Sequence, residues 1–300
     1  GKYKSGSIVS FLGYLGQISM ALYMIVGLIR MLPRAAASSK RLVELFEVKS
    51  ELTEKDNALK DHVLSGKLEF KNVTFSYRGQ KPILKNISFT VMPGEKLGIL
   101  GTTGSGKTSL ISLIPRFYDV DEGEVLVDDI NVKDYGLHTL RSQISTVMQK
   151  ALLFAGTIED NIKLGAMDKQ EEEVFAASKN AMAYNFIVSF ANGYQTILGE
   201  GGINLSGGQK QRISMSRSLI TNPKILIFDD STSAVDMKTE QDILNALENS
   251  AEKRTTIIIA QRIRSVINAD KILILEEGKI TGFGTHEELL NTNSHYQAIY

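Results

Sequence analysis

The stretch "KLGILGTTGSGKTSLISLI", Lys96 to Ile114, joins a short apolar strand pattern to a helical pattern through a loop of glycine, threonine and serine. Gly101, Gly106, Lys107 and Thr108 satisfy G-x-x-x-x-G-K-[ST], with a strand before and a helix after, which is the context a phosphate-binding loop requires. Glycines let the backbone turn tightly enough to aim successive N–H groups at phosphate oxygens, at the positive end of the helix dipole. The expected nucleotide contacts run through Gly101, Thr102, Thr103, Gly104, Ser105, Gly106, Lys107, Thr108 and Ser109. Lys107 neutralises the β- and γ-phosphates, and the Thr108 hydroxyl ligates magnesium. A chance glycine-rich turn is the weaker reading, given both flanking elements.

Working outward, a second glycine-rich helix start follows in "NLSGGQKQRISMSRSLI", Asn204 to Ile220, where Ser206, Gly207, Gly208 and Gln209 precede a long helical pattern. Taken alone it is also compatible with an ordinary helix cap. After "TNPK" comes "ILIFDDSTSAVD", Ile225 to Asp236, in which four apolar residues run into Asp229 and Asp230. A buried strand delivers carboxylates to a sheet edge in this way. A magnesium-nucleotide site needs one carboxylate on the metal and commonly a second aimed at the attacking water.

The rest of the chain sets bounds. Three hundred residues, 43% of them hydrophobic, suffice for one large domain or two. Lys+Arg 34 balance Asp+Glu 34, so nothing in the bulk electrostatics calls for nucleic acid as a partner. Zero cysteines exclude disulfides, thiolate metal sites and a cysteine nucleophile, and fit a cytosolic domain. The chain opens on Gly1 rather than Met, as a piece of a longer protein does. From Ser5 to Ile29 no residue is charged, and roughly 20 apolar residues suffice to span a bilayer. A transmembrane helix over 1–32 is therefore expected, in preference to a core helix or a signal peptide. Arg30, Arg34, Lys40 and Arg41 follow the span while Lys2 and Lys4 precede it, which puts the C-terminal side in the cytoplasm. Residues 33–66 read as an amphipathic connecting helix and a polar linker, with a soluble domain beginning near Lys67 and running to 300.

With these motifs in order, the chain from about Lys67 to Tyr300 resembles the nucleotide-binding domain of ATP-binding-cassette (ABC) transporters. The phosphate loop matches Walker A, "ILIFD" Walker B, Leu205 to Gln209 the "LSGGQ" signature, and "SAVD" the D-loop ending in Asp236. Tyr77 stands where the family stacks an aromatic on adenine, Gln149 in "VMQKALLF" matches the Q-loop glutamine, and "TILGEGG" resembles the exporter-type loop before the signature. The resemblance implies an α/β P-loop NTPase core, a mixed sheet with a β-subdomain and a helical subdomain over about 150–220, preceded by the last transmembrane helix of an exporter half-transporter. Five more helices of that pattern lie outside this chain. It implies ATP and Mg2+, with Thr108, Gln149 and Asp229 around the metal, and head-to-tail pairing in which each ATP lies between the Walker motifs of one cassette and the signature of the other. Coupling to transport then follows from tighter binding of ATP to the closed pair. The implied location is the inner membrane, in contact with lipid, exporting a small molecule.

Two positions depart from the family. The residue after Walker B is usually glutamate and here is Asp230, one methylene shorter; the switch histidine is replaced by Gln261. His62, His138, His286 and His295 lie elsewhere. A misplacement of about 1 Å can cost roughly a hundredfold in rate, and glutamine can neither carry charge nor shuttle a proton. The expectation is a site where Asp230, Gln261, Lys107 and Gln149 hold ATP but cleave it slowly or not at all. Its signature would complete the site of a second half-transporter that has Glu and His, in a heterodimer. A slow homodimer is the alternative. A chromosome-maintenance or DNA-repair ATPase is disfavoured, since no long coiled coil fits between Lys107 and Asp229. "EEGK" reads as a hairpin turn at Glu277-Gly278 and "THEE" as a capping box, neither needing a functional role.

Overall fold

The computed structural model describes residues 5–48, 50, 52–231, 235–248 and 253–299. They form two compact units, residues 1–53 and 54–300. The first is one helix, α1 (Ser5–Glu47), of 43 residues. It runs through Pro33, so the sequence-based division into a spanning helix ending at 32 and a separate connecting helix corresponds to no break. Its apolar window has a mean hydropathy of 1.7, and it is long and apolar enough to cross a membrane.

In the second unit, β1 (Leu68–Phe75), β2 (Leu84–Val91), β4 (Glu122–Val127) and β5 (Ile130–Asn131) form an antiparallel sheet in the order β2-β1-β4-β5. The main sheet comprises β3 (Lys96–Leu100), β6 (Ile144–Val147), β9 (Ile225–Asp229), β10 (Thr255–Ile259), β11 (Lys271–Glu276) and β12 (Lys279–Gly284), in the order β12-β11-β3-β10-β9-β6. All its pairs are parallel except the β11–β12 hairpin. A short pair joins β7 (Gly156–Thr157) to β8 (Ile197–Leu198).

The unbroken apolar runs of the central strands follow from burial on both faces. Ile225, Ile227, Ile257 and Ile259 enter one core with the antiparallel sheet and α2 (Lys107–Ser112). Leu226, Phe228 and Ile258 alternate into the other, against the helical region. After α3 (Leu137–Arg141), that region holds α4 (Ile158–Lys163), α5 (Glu171–Asn180), α6 (Tyr184–Val188) and α7 (Gly207–Leu219). Helix α8 (Met237–Glu248) follows β9, and α9 (His286–Thr292) and α10 (Ser294–Ile299) close the chain.

The domain starts at Glu54, ahead of the expected Lys67. Leu64 is buried, and its N–H donates to Gln143 Oε1 at 2.9 Å. The Leu59 N–H donates to the Asp134 carbonyl at 2.8 Å, and the Leu59 carbonyl accepts from Gly136 N–H at 2.9 Å. This segment looks aperiodic because hydrogen bonds, rather than an apolar stripe, attach it.

Candidate nucleotide-binding site

The phosphate loop leaves β3 and enters α2 through Gly106, whose φ of 106° disfavours a side chain. A Cβ on Gly101 would stand 2.3 Å from the Leu275 carbonyl oxygen. The loop is braced by the β11–β12 turn, for Gly278 N–H donates to the Ser105 carbonyl at 3.2 Å and Lys85 N–H donates to the Gly278 carbonyl at 2.8 Å. A Cβ on Gly278 would lie 1.9 Å from the Ile83 oxygen. The hairpin, given no role from sequence, is thus a buttress for the site. The Glu277-Gly278 pair was the available signal, and both residues have positive φ.

Thr103, Gly104, Gly106, Lys107, Thr108, Ser109, Gln149, Asp229, Asp230 and Gln261 line one cavity of about 290 Å³. Thr108, in the first turn of α2, faces Asp229 at the end of β9, its hydroxyl 3.4 Å from both carboxylate oxygens. Burial raises the Asp229 pKa, Asp230 adds to the rise, and the Thr108 bond and Lys107 oppose it. The Lys107 ammonium donates to the Gly101 and Thr102 carbonyls at 2.6 and 2.8 Å. Burial lowers its pKa, against the pull of Asp230 and Asp229.

Asp230 is mostly buried and lies in the left-handed region at φ 45°. Its Oδ2 accepts two amide bonds, from Gln261 Nε2 at 2.7 Å and Gln149 Nε2 at 3.0 Å. The two positions that depart from the family therefore touch each other, which sequence could not show.

Other expected residues lie beside this cavity or away from it. The Tyr77 hydroxyl bonds Ser109 Oγ at 3.1 Å, and its ring stands edge-on to Phe75 and Tyr118 at 5.0 and 5.1 Å. Tyr118, a second aromatic at this edge, was not anticipated. Gly101, Thr102 and Ser105 form the loop behind the lining, and the buried Ser105 Oγ has no hydrogen-bond partner among the described residues. Ser206 caps α7, its hydroxyl accepting from Gln209 N–H at 3.3 Å while Gln209 Oε1 accepts from Ser206 N–H at 2.9 Å. Gly207 and Gly208 begin that helix and Leu205 is buried in the helical region. Asp236 caps the first turn of α8 through Thr239 N–H at 3.0 Å and Thr239 Oγ1 at 2.7 Å. Neither the signature nor Asp236 lines the cavity. Ser233 and Ala234 of the D-loop lie outside the described residues.

Helix α7 also holds the loop after Gln149. Gln211 Nε2 donates to the Met148 carbonyl at 2.9 Å, and the half-buried Arg217 donates to the Leu152 and Asn161 carbonyls at 2.7 Å each. A triphosphate suits the ammonium and the loop N–H groups. The Thr108 hydroxyl and Asp229 carboxylate are the hard oxygen donors that Mg2+ takes alongside phosphate oxygens.

A phosphate loop at a strand–helix turn, with the Asp229 carboxylate closing a parallel strand one place beyond the intervening β10, defines a P-loop ATPase core. The antiparallel sheet and the helical region carrying "LSGGQ" narrow it to the ABC type. Residues 84–233 match the family described as ABC transporter. The chain belongs to the ABC transporter family. It is 43% identical over 301 residues to the uncharacterized ABC transporter ATP-binding protein YfiB of Bacillus subtilis, covering 100% of this chain and 52% of that protein. It is 38% identical over 302 residues to the ATP-dependent lipid A-core flippase of Methylobacillus flagellatus, covering 100% and 52%. A bacterial Atm1-family ABC exporter solved with ATP bound superposes with a TM-score of 0.85 at 36% identity, over 100% of this chain and 52% of the other. The chain thus spans about half the length of the relatives it matches.

Proposed function

We propose that this chain is the ATP-binding part, with one transmembrane helix, of an exporter-type half-transporter in the inner membrane, its nucleotide-binding domain on the cytoplasmic side. Lys107 and the loop N–H groups hold the phosphates of ATP, Thr108, Asp229 and Gln149 surround Mg2+, and Tyr77 meets adenine. The metal neutralises charge on the β- and γ-phosphates. The family, the apolar α1 and the relatives' names support this reading.

We further propose that this site holds ATP and cleaves it slowly. The observation that carries this is the Asp230 carboxylate, whose Oδ2 receives both the Gln149 and Gln261 amides. A carboxylate already shorter than glutamate is directed at amide donors, and the group beside it is neutral. Positioning water for phosphoryl transfer depends on placement within a fraction of an ångström. Leu205–Gln209 and Asp236 lie outside the chain's own cavity, which suits a role in completing a partner's site. The partner is a second half-transporter with Glu after Walker B and a switch histidine, and together they carry a small molecule across lipid.

Replacing Asp230→Glu with Gln261→His in the assembled full-length complex should raise turnover by about tenfold or more, measured as phosphate release. Unchanged turnover would end the slow-site reading. A slow homodimer is the second reading, favoured because this one chain carries both a complete Walker set and an intact signature. A single subunit species in the native complex would establish it.

A further inference from the structure

Behind Gln261 the nucleotide cavity continues. A neighbouring cavity of about 260 Å³ shares Gln149, Asp230 and Gln261 with it and adds Glu240, Arg262 and Ser265. Those last three also line a larger cavity of about 580 Å³ between α8 and residues 262–269. Glu240, in the first turn of α8, and Arg262, directly after Gln261, therefore face the same two spaces.

Neither side chain is paired with another among the described residues. Glu240 Oε1 is shielded from solvent without a hydrogen-bond partner among the described residues. The Arg262 guanidinium makes no hydrogen bond or ion pair with any described residue, and it is the one cation lining the smaller cavity. Of the other charges around the larger cavity, Lys96 is paired with Glu248, while Lys238 and Arg264, like Arg262 itself, are exposed. A carboxylate oxygen shielded from water and lacking a donor is costly, and a guanidinium in the same small space can relieve that cost.

We propose that Glu240 is a positioning residue for Gln261. In the chain alone the two side chains stand apart and the Gln261 amide already rests on Asp230; with ATP bound, the carboxylate takes up the Arg262 guanidinium across the cavity, holding the segment after Gln261 against the first turn of α8 and keeping the Gln261 amide aimed at the γ-phosphate. This rests on the reading above in which Gln261 stands at the family's switch position, beside Asp230 in an ATP site. The effect belongs to ATP rather than ADP, because only ATP presents that group.

The test uses the full-length transporter assembled with its partner subunit. A photoreactive ATP analogue is loaded with Mg2+, chased with unlabelled ATP, and scored on this subunit, with ADP affinity and thermal stability measured in parallel. Glu240→Gln and Arg262→Glu should each shorten ATP retention by about fivefold, with ADP affinity held within about twofold, and the charge-swapped pair Glu240→Arg plus Arg262→Glu should recover most of the loss. In a Gln261→Ala background, Glu240→Gln should have no further effect. Unchanged retention in both single variants, no recovery in the swapped pair, or a Glu240→Gln effect that persists without Gln261 would each overturn the proposal. Product ADP recovered from this subunit reports hydrolysis separately, so rapid cleavage would sink the slow-site reading while the charge-swap comparison still decides the role of Glu240.

Discussion

At the residue scale the site turns on one carboxylate in an unusual backbone state. Asp230 sits at φ 45°, a region that aspartate enters more readily than most side chains, so its identity suits the backbone as well as the two amides it accepts. Its neighbour Asp229 has a pKa raised by burial. A raised value means the folded chain takes up a proton more readily than the unfolded one, so its contribution to stability is present at low pH and lost as pH rises through the folded value. Mg2+ needs the ionised form, so the affinity for Mg2+ at saturating ATP should fall as pH drops through that value, with proton release on Mg2+ addition as the calorimetric readout. Lys107→Ala should weaken ATP binding by about a hundredfold, seen by equilibrium titration, because it removes the ammonium facing the phosphates. Gly278→Ala should lower stability by about 3 kcal/mol and also loosen ATP binding. The new methyl must displace the Ile83 carbonyl, and the turn braces Ser105. Melting without nucleotide separates the two effects.

At the element scale, helix starts do much of the positioning. Helices α4, α7 and α9 each begin with a capping box, built on Thr157 and Asp160, Ser206 and Gln209, and Thr285 and Glu288, while at the start of α5 the Gln170 N–H donates to the Glu173 carboxylate. Only the last of these was read from sequence. The pKa values of Asp160, Glu173 and Glu288 are lowered, Asp160 chiefly by its bond with Thr157, Glu173 by Lys169 and Glu288 by the Thr285 backbone. Depressed carboxylates stabilise above their unfolded values and lose that contribution as pH falls through the folded ones. The first turns of α4, α5 and α9 should therefore fray in acid before α7, whose box uses a glutamine, and amide exchange below about pH 4 reports it. Ser206→Ala should cost about 1 kcal/mol in denaturant unfolding while leaving ATP affinity of the isolated chain unchanged, since the signature lies outside its own cavity.

At the scale of the whole molecule, the domain is held by two cores on either side of one mostly parallel sheet. The sequence signalled this where Ile225 to Phe228 and Ile257 to Ile259 run apolar without interruption. The domain start was hidden, since residues 54–66 are attached through backbone groups of Leu59, Lys60 and Leu64 bonded to Asp134, Thr139 and Gln143 across large sequence separations. A polypeptide beginning at Lys67 should melt below one beginning at Glu54, by about 2 kcal/mol for the burial of Leu64 alone. Equal midpoints would show that the segment contributes nothing. The 43-residue α1 follows from its apolar run and strong helix formers, while its passage through Pro33 is not legible from local rules.

The sequence by itself determined the cassette, because phosphate chemistry demands glycines, lysine, threonine and aspartate at fixed local spacings that survive in one dimension. Tertiary structure alone decided how distant side chains share that chemistry. Gln149, Asp230 and Gln261 come from three separate loops, Gly278 meets Ser105 across the sheet edge, and Glu240 and Arg262 face one cavity from α8 and the loop after β10. Such contacts depend on strand order and loop packing, which no local spacing encodes.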